Sequence, residues 1–139
     1  MKYRRLHSSQ IDPLWELHRL YKAEIGEEEP DPEALARLKE AIGKQQILFF
    51  GARDRTLLAG CCSVTPGFST YNYARSGVFE DFYIRPEYRH QGIARELVRF
   101  AYLKSGVSSL TVGCADCDLP MYRSLGFSIP LGTMLAFEP

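Results

Sequence analysis

Apolar positions along the chain switch between two periods, and the switches mark the elements. Leu14, Leu17, Leu20, Tyr21 and Ile25 recur at helical spacing behind Asp12-Pro13, which supplies an N-cap and a proline at the first helical position; Gly26 ends the run. Asp31-Pro32 repeats the device for a second helix with Leu35, Leu38 and Ile42 as its stripe and Gly43 as its stop. Ahead of both, Lys2 to Leu6 reads as a first strand. Gln46 to Arg53 and Thr56 to Pro66 read as a hairpin turning at Asp54-Arg55, and Gly67 to Gly77 as a long polar-aromatic loop. Phe79 to Ile84 is a strand with two acidic intrusions, Glu80 and Asp81, stopped at Arg85-Pro86. From Ile93, the set Ile93, Ala94, Leu97, Val98 and Ala101 returns to helical spacing until Gly106. Ser109 to Gly113 is a strand, Leu119 to Leu125 a short helix, and Phe127 to Ile129 and Met134 to Phe137 two closing strands. The order is β-α-α-β-β-β-α-β-α-β-β, which predicts an α/β fold.

The 139 residues fit one domain, 1–139, with enough apolar content to bury a core without disulfides. A formal net charge of zero argues against nucleic-acid binding, which calls for a basic excess. The N-terminus lacks the apolar core of a signal peptide and no apolar run reaches a membrane span, so neither membrane nor export is expected and the cytoplasm is the default. Cys61 and Cys62 sit in one strand and face opposite sides; Cys114 and Cys117 form a lone C-x-x-C. Without a converging second pair there is no zinc pattern, and no metal is expected. The four read as buried thiols in a reducing compartment.

Chemistry concentrates between the strand at Phe79 and the helix at Ile93. Arg89-His90-Gln91-Gly92-Ile93-Ala94 places a glycine and an alanine at a helix start, where first-turn amides have no helical acceptor and the macrodipole is positive. Such an end binds anions, phosphate foremost, and Arg85, Arg89, Arg95 and Arg99 add basic charge. The competing reading is a tight turn with a solvated basic face. Neither G-x-x-x-x-G-K-[ST] nor G-x-G-x-x-G occurs, which disfavours the common nucleotide-binding classes.

The same six residues resemble the R/Q-x-x-G-x-G/A signature of the GNAT superfamily of acyl-CoA-dependent N-acetyltransferases. The flanking EDFYIRPEYRHQGIA is similar to the polyamine and diamine acetyltransferase branch, and MYRSLGF, residues 121–127, to the family's F/L-Y-x-x-L-G-F patch. The resemblance implies a GNAT (acyl-CoA N-acyltransferase) fold, a mixed, mainly antiparallel sheet flanked by helices on both faces, with acetyl-CoA as co-substrate. It implies a pyrophosphate held at Arg89, His90, Gln91, Gly92, Ile93, Ala94 and Arg95, and an acetyl-pantetheine arm along the backbone of Phe82, Tyr83 and Ile84. It makes Tyr122 the general acid: a phenol titrating near pH 10 can protonate a leaving thiolate. Glu80 becomes the base, acting through a water on the acceptor amine, and Asp81, Glu27 and Glu28 join it in binding a small cationic amine. A carboxylate in a buried strand costs free energy unless it is paired or functional, which independently favours a role for Glu80 or Asp81. One departure stands out: the asparagine that the family often carries seven residues before this tyrosine is Ala115 here. By the same analogy the working unit is a homodimer. His7, His18 and His90 are read as structural or exposed. The rival function is a non-catalytic acyl-CoA sensor on the same fold, and the intact pair Tyr122 and Glu80 speaks for turnover.

Overall fold

The computed structural model describes residues 1–139. Five strands form one sheet in the order β1 (Lys2–Leu6), β2 (Leu48–Asp54), β3 (Leu57–Ser69), β4 (Ala74–Ile84) and β5 (Ser109–Val112). Every neighbouring pair is antiparallel except β4 and β5, which run parallel and are joined through α3 (Ile93–Ser105). A parallel pair needs such a crossover, because no tight turn can return the chain to the same direction. Helices α1 (Ile11–Glu24) and α2 (Pro32–Gly43) precede β2, and α4 (Leu119–Ser124) follows β5.

Strand alternation divides the core in two. Phe50, Cys62, Val64 and Phe79 face α3 with Ile93, Leu97, Val98 and Ala101. Phe49, Cys61 and Tyr83 face the other side with Leu14 and Leu17 of α1 and Ile42 of α2. Adjacent residues thus serve opposite layers, as period-two geometry requires, and each fully buried large side chain contributes about 1.5–3 kcal/mol.

Sequence and structure part company in three places. Helix α1 begins at Ile11, after a single 3₁₀ turn at Ser8–Gln10, so Pro13 sits third in the helix and not first. The site is tolerant because first-turn amides lack helical acceptors anyway. At α2 the expected cap holds, with the Ala34 amide donating to Asp31 Oδ1 at 2.7 Å. The expected loop at 67–77 is mostly strand: Pro66, Gly67, Phe68 and Ser69 pair with Gly77, Ser76, Arg75 and Ala74, which leaves only 70–73 as the turn. Turn-rich composition there loses to ladder hydrogen bonds and to β5, which pairs with Ser76–Phe79. Finally, 127–129 and 134–137 are not strands. Residues 128–139 make no backbone hydrogen bond within the chain, and a strand without a partner is not a strand.

Candidate active site

The β3–β4 ladder skips a position. Cys61 pairs with Tyr83 and Ser63 with Glu80, so Asp81 and Phe82 together oppose Cys62. This is a β-bulge, and Asp81 takes up the extra residue with φ at +53°. Ser63 Oγ donates to Asp81 Oδ2 at 2.7 Å and holds the carboxylate in place. The bulge has a chemical consequence. Ser63 faces the α1 side, so its partner Glu80 does too, and Asp81 follows through its bond to Ser63. Two consecutive carboxylates therefore share one face, where an unbroken strand would separate them. Neither forms an ion pair within the chain.

The strand edge opens at the same level. β5 accompanies β4 only from Ser76 to Phe79, so Phe82, Tyr83 and Ile84 have no strand on that side. The gap is bordered by Tyr122 of α4, whose ring lies 6.4 Å from that of Phe82 and 5.9 Å from that of Phe127. Arg95 Nη2 donates to the Ser124 carbonyl at 2.7 Å and ties α4 to the start of α3.

Below the gap the chain turns into α3 through His90 and Gly92, both left-handed, with φ of +60° and +81°. None of the amides from His90 to Arg95 finds an acceptor in the chain; the first helical bond runs from the Glu96 amide to the Gly92 carbonyl. A Cβ placed on Gly92 would meet nothing within 4 Å, so the space before these amides is open. A run of unpaired amides at the positive end of a three-turn helix is an anion cradle. Arg89 belongs to its scaffold. Its amide donates to the Pro86 carbonyl, its Nε to the Ile84 carbonyl at 2.8 Å and its Nη2 to Glu24 at 2.7 Å, and the guanidinium lies over the Tyr83 ring. Arg85 is likewise turned inward, toward the Leu58 carbonyl and Glu16.

The acidic stretch after α1 is largely neutralised. Glu27 pairs with Lys22, Glu29 with Arg19, and Asp31 and Glu33 both approach Arg37. Of the expected acceptor-binding glutamates in that loop, only Glu28 has no ion pair. The cysteines divide by location. Cys61 and Cys62 are buried, with thiols pushed up first by burial and then by neighbouring charge, whereas Cys114 and Cys117 are exposed, against the expectation that all four are buried. The segment carrying the exposed pair runs over the surface between β5 and α4.

Two side chains to which the sequence assigns no function, His18 and Tyr21, come together in this region. His18 stacks on Trp15 at 5.7 Å and approaches Tyr21 at 6.4 Å. Burial lowers the His18 pKa while Asp81 opposes the shift; burial, then Asp81, raises that of Tyr21. The i, i+3 spacing of Trp15, His18 and Tyr21 marks a common helix face, but only the fold puts Asp81 opposite it. Tyr122 itself is pushed up to about 12, chiefly by burial, then by Tyr21, Asp118 and Cys114. A raised phenol stays protonated below that value. The rate is therefore expected to climb with pH as the acceptor amine loses its proton, with no falling limb from Tyr122 up to about pH 10. A pH profile of kcat/KM checks this, and a descending limb near neutrality that disappears in Tyr122→Phe would overturn it.

Fold, anion cradle, open strand edge and adjacent phenol together define an acyl-CoA-dependent acyltransferase. The GNAT acetyltransferase domain matches residues 45–129, and the chain belongs to that family: it is an acetyltransferase that takes its acetyl group from acetyl-CoA. A search of curated proteins finds no sequence match. Among solved structures, a probable acetyltransferase superimposes with a TM-score of 0.85 at 20% identity, covering 100% of this chain and 97% of its own. An aminoglycoside acetyltransferase from an uncultured soil metagenomic sample, solved with sisomicin, gives 0.84 at 17% identity, over 99% and 95%. A predicted acetyltransferase of Clostridium acetobutylicum, solved with acetyl-CoA, gives 0.74 at 16% identity, over 98% and 95%. At these identities the likeness is one of fold. No helix is long and apolar enough to cross a membrane.

Proposed function

We propose that the chain transfers the acetyl group to a primary amine of a small cationic molecule, of the diamine, polyamine or aminoglycoside kind, by direct attack in a ternary complex. The observation that carries this reading is the pair Glu80 and Asp81, placed on one face by the bulge and left without ion pairs. Unbalanced negative charge beside a reaction centre attracts a cationic acceptor and speeds its capture. In this reading the amides of His90 to Arg95 grip the pyrophosphate and the free edge at Phe82 to Ile84 aligns the pantetheine arm. Acetyl-CoA supplies the activated acyl group; the protein orients it and moves the protons. Glu80 takes the proton of the ammonium through a water, Asp81 holds a second cationic group, and Tyr122 gives its proton to the departing sulfur. Cys61 and Cys62 are buried and protonated, and neither exposed Cys114 nor exposed Cys117 has a hydrogen-bonded base, which favours direct attack over an acyl-enzyme. That a similarly folded enzyme was solved with an aminoglycoside is in keeping with this acceptor class. The working unit is proposed to be a homodimer.

The test is an amine panel read by CoA thiol release. Diamines, polyamines or aminoglycosides should outrun a neutral-tailed monoamine, and KM for them should rise with salt, because exposed charges are screened over roughly 8 Å at physiological ionic strength. Asp81→Asn should raise KM for the best cation about 10–100-fold, as loss of a charged hydrogen-bonding partner does. Neutralising Glu27 and Glu28 should cost far less, since Glu27 is already paired with Lys22. A neutral monoamine that matches the best diamine sinks the cationic-acceptor reading.

A further inference from the structure

The C-x-x-C motif has no part in acetyl transfer, yet it lies beside the gap where transfer happens. β4 and β5 run parallel, and their last rung joins Phe79 to Val112. Continued in register, β5 would place Gly113 level with Glu80 and Cys114 level with Asp81. The chain instead leaves the sheet there, and its departure frees the edge of Phe82, Tyr83 and Ile84. Cys114 thus stands where the two strands part. From α4, Tyr122 reaches the same place: its phenol, raised chiefly by burial, also feels Tyr21, Asp118 and Cys114. The Cys114 thiol is therefore within Coulombic reach of the group that meets the departing sulfur. Cys117 follows inside the single 3₁₀ turn Asp116–Asp118, where the Asp118 amide donates to the Ala115 carbonyl at 2.9 Å.

Both thiols are free and exposed, unlike Cys61 and Cys62. Solvent access separates a thiol available for exchange from a structural one. Cys114 belongs to no helix or strand, so it can approach Cys117 without breaking a ladder. We propose that Cys114 and Cys117 form a thiol–disulfide exchange site for CoA disulfide, the oxidised dimer of the CoA that acetyl transfer releases. The proposal rests on the pyrophosphate and pantetheine placement given for acetyl-CoA. One half of CoA disulfide carries those same groups, so the His90–Arg95 amides hold it and its sulfur lies at the parting of β4 and β5. The other half extends beyond that sulfur toward the acceptor side.

The exchange balances in two steps. Cys114 gives its proton to water, and the thiolate attacks the near sulfur. A Cys114–CoA disulfide forms, the original S–S bond breaks, and the far CoA leaves as a thiolate that takes up a proton. The Cys117 thiolate then attacks Cys114 Sγ, closing the Cys114–Cys117 bond and releasing the second CoA, which is protonated in turn. One CoA disulfide is reduced to two CoA thiols, the dithiol is oxidised to a disulfide, and no proton is gained or lost overall. Selectivity comes from the cradle. Asp116 and Asp118 flank Cys117 and repel free anionic disulfides such as that of glutathione. A disulfide carried in on the CoA site is held against that repulsion and reacts as if at far higher concentration. While Cys114 carries CoA the acetyl-CoA slot is filled, and acetyl transfer stops until Cys117 or an external thiol releases it.

Intact mass spectrometry of the full chain, reduced and then exposed to equal concentrations of CoA disulfide or glutathione disulfide, tests this. The wild type is expected to lose two hydrogens at least about 10-fold faster with CoA disulfide. Cys117→Ser should stop at a stable adduct of one CoA on Cys114, located by peptide mapping, and Cys114→Ser should take up no CoA. Saturating acetyl-CoA should slow the reaction with CoA disulfide and leave that with glutathione disulfide unchanged. Equal rates for the two disulfides, a CoA adduct that acetyl-CoA does not suppress, or uptake of CoA by Cys114→Ser each overturns the proposal. The thermal shift given by acetyl-CoA, measured alongside, separates the failures. With that shift intact the exchange site fails alone; without it the cofactor placement fails too.

Discussion

Replacing Tyr122 with phenylalanine is expected to lower kcat by roughly 10²–10⁴-fold, the usual contribution of a general acid, with affinity for acetyl-CoA nearly unchanged. The substitution removes one oxygen and keeps the ring that packs between Phe82 and Phe127, so the fold should lose little. The environment suits the role. The phenol is neutral at working pH because burial pushes its pKa to about 12, and it stands at the gap where β4 loses its neighbour. Neutrality has a cost, since so weak an acid gives its proton readily only to a sulfur that already carries the developing charge. That is the requirement at bond cleavage and not before. Equilibrium binding of acetyl-CoA with single-turnover kinetics separates the two effects. Full turnover in Tyr122→Phe would make the residue a packing tyrosine and hand the proton to water.

The parts of the site that read from sequence are those built from contiguous residues. The cradle lies within one turn and one helix start, so the positions of Gly92, Ile93 and Ala94 determine it locally, and Tyr122 lies within a seven-residue patch. The carboxylates were legible as residues out of place in a strand, but not as a pair on one face. That depends on a bulge, where the Ser63–Asp81 bond reaches across two strands. Charge balance was likewise hidden. The acidic run from Glu24 to Glu33 looks unopposed along the chain, but Arg19 and Lys22 reach it from α1, Arg37 from α2 and Arg89 from 65 residues away. His18 and Tyr21 were unreadable for the same reason, because a helix face declares its own neighbours but not what packs against it. The closing strands failed differently. Residues 134–137 carry strand-like composition, but β structure exists only between partners, and composition does not say whether one is present.

Gly92→Val is expected to abolish the stabilisation that acetyl-CoA confers. A ligand at 100 times its Kd stabilises the wild type by about 2.7 kcal/mol, which for a domain of this size is a shift of roughly 8–10 °C in Tm. Two physical effects act at Gly92. Its φ of +81° is costly for a branched side chain, by about 1–2 kcal/mol, and a Cβ there would project into the open space before the unpaired amides. The first lowers Tm without ligand; only the second bears on binding. Gly106 separates them. It caps the other end of the same helix with φ of +71°, and a Cβ on it also meets nothing within 4 Å. Gly106→Val should therefore lower the ligand-free Tm by a similar amount and keep the acetyl-CoA shift whole. Gly92→Val should lose both, with its circular dichroism still that of a folded α/β protein. The two variants together distinguish a phosphate cradle from a turn that is merely strained. An acetyl-CoA shift in Gly92→Val as large as in Gly106→Val would place the pyrophosphate somewhere other than the start of α3.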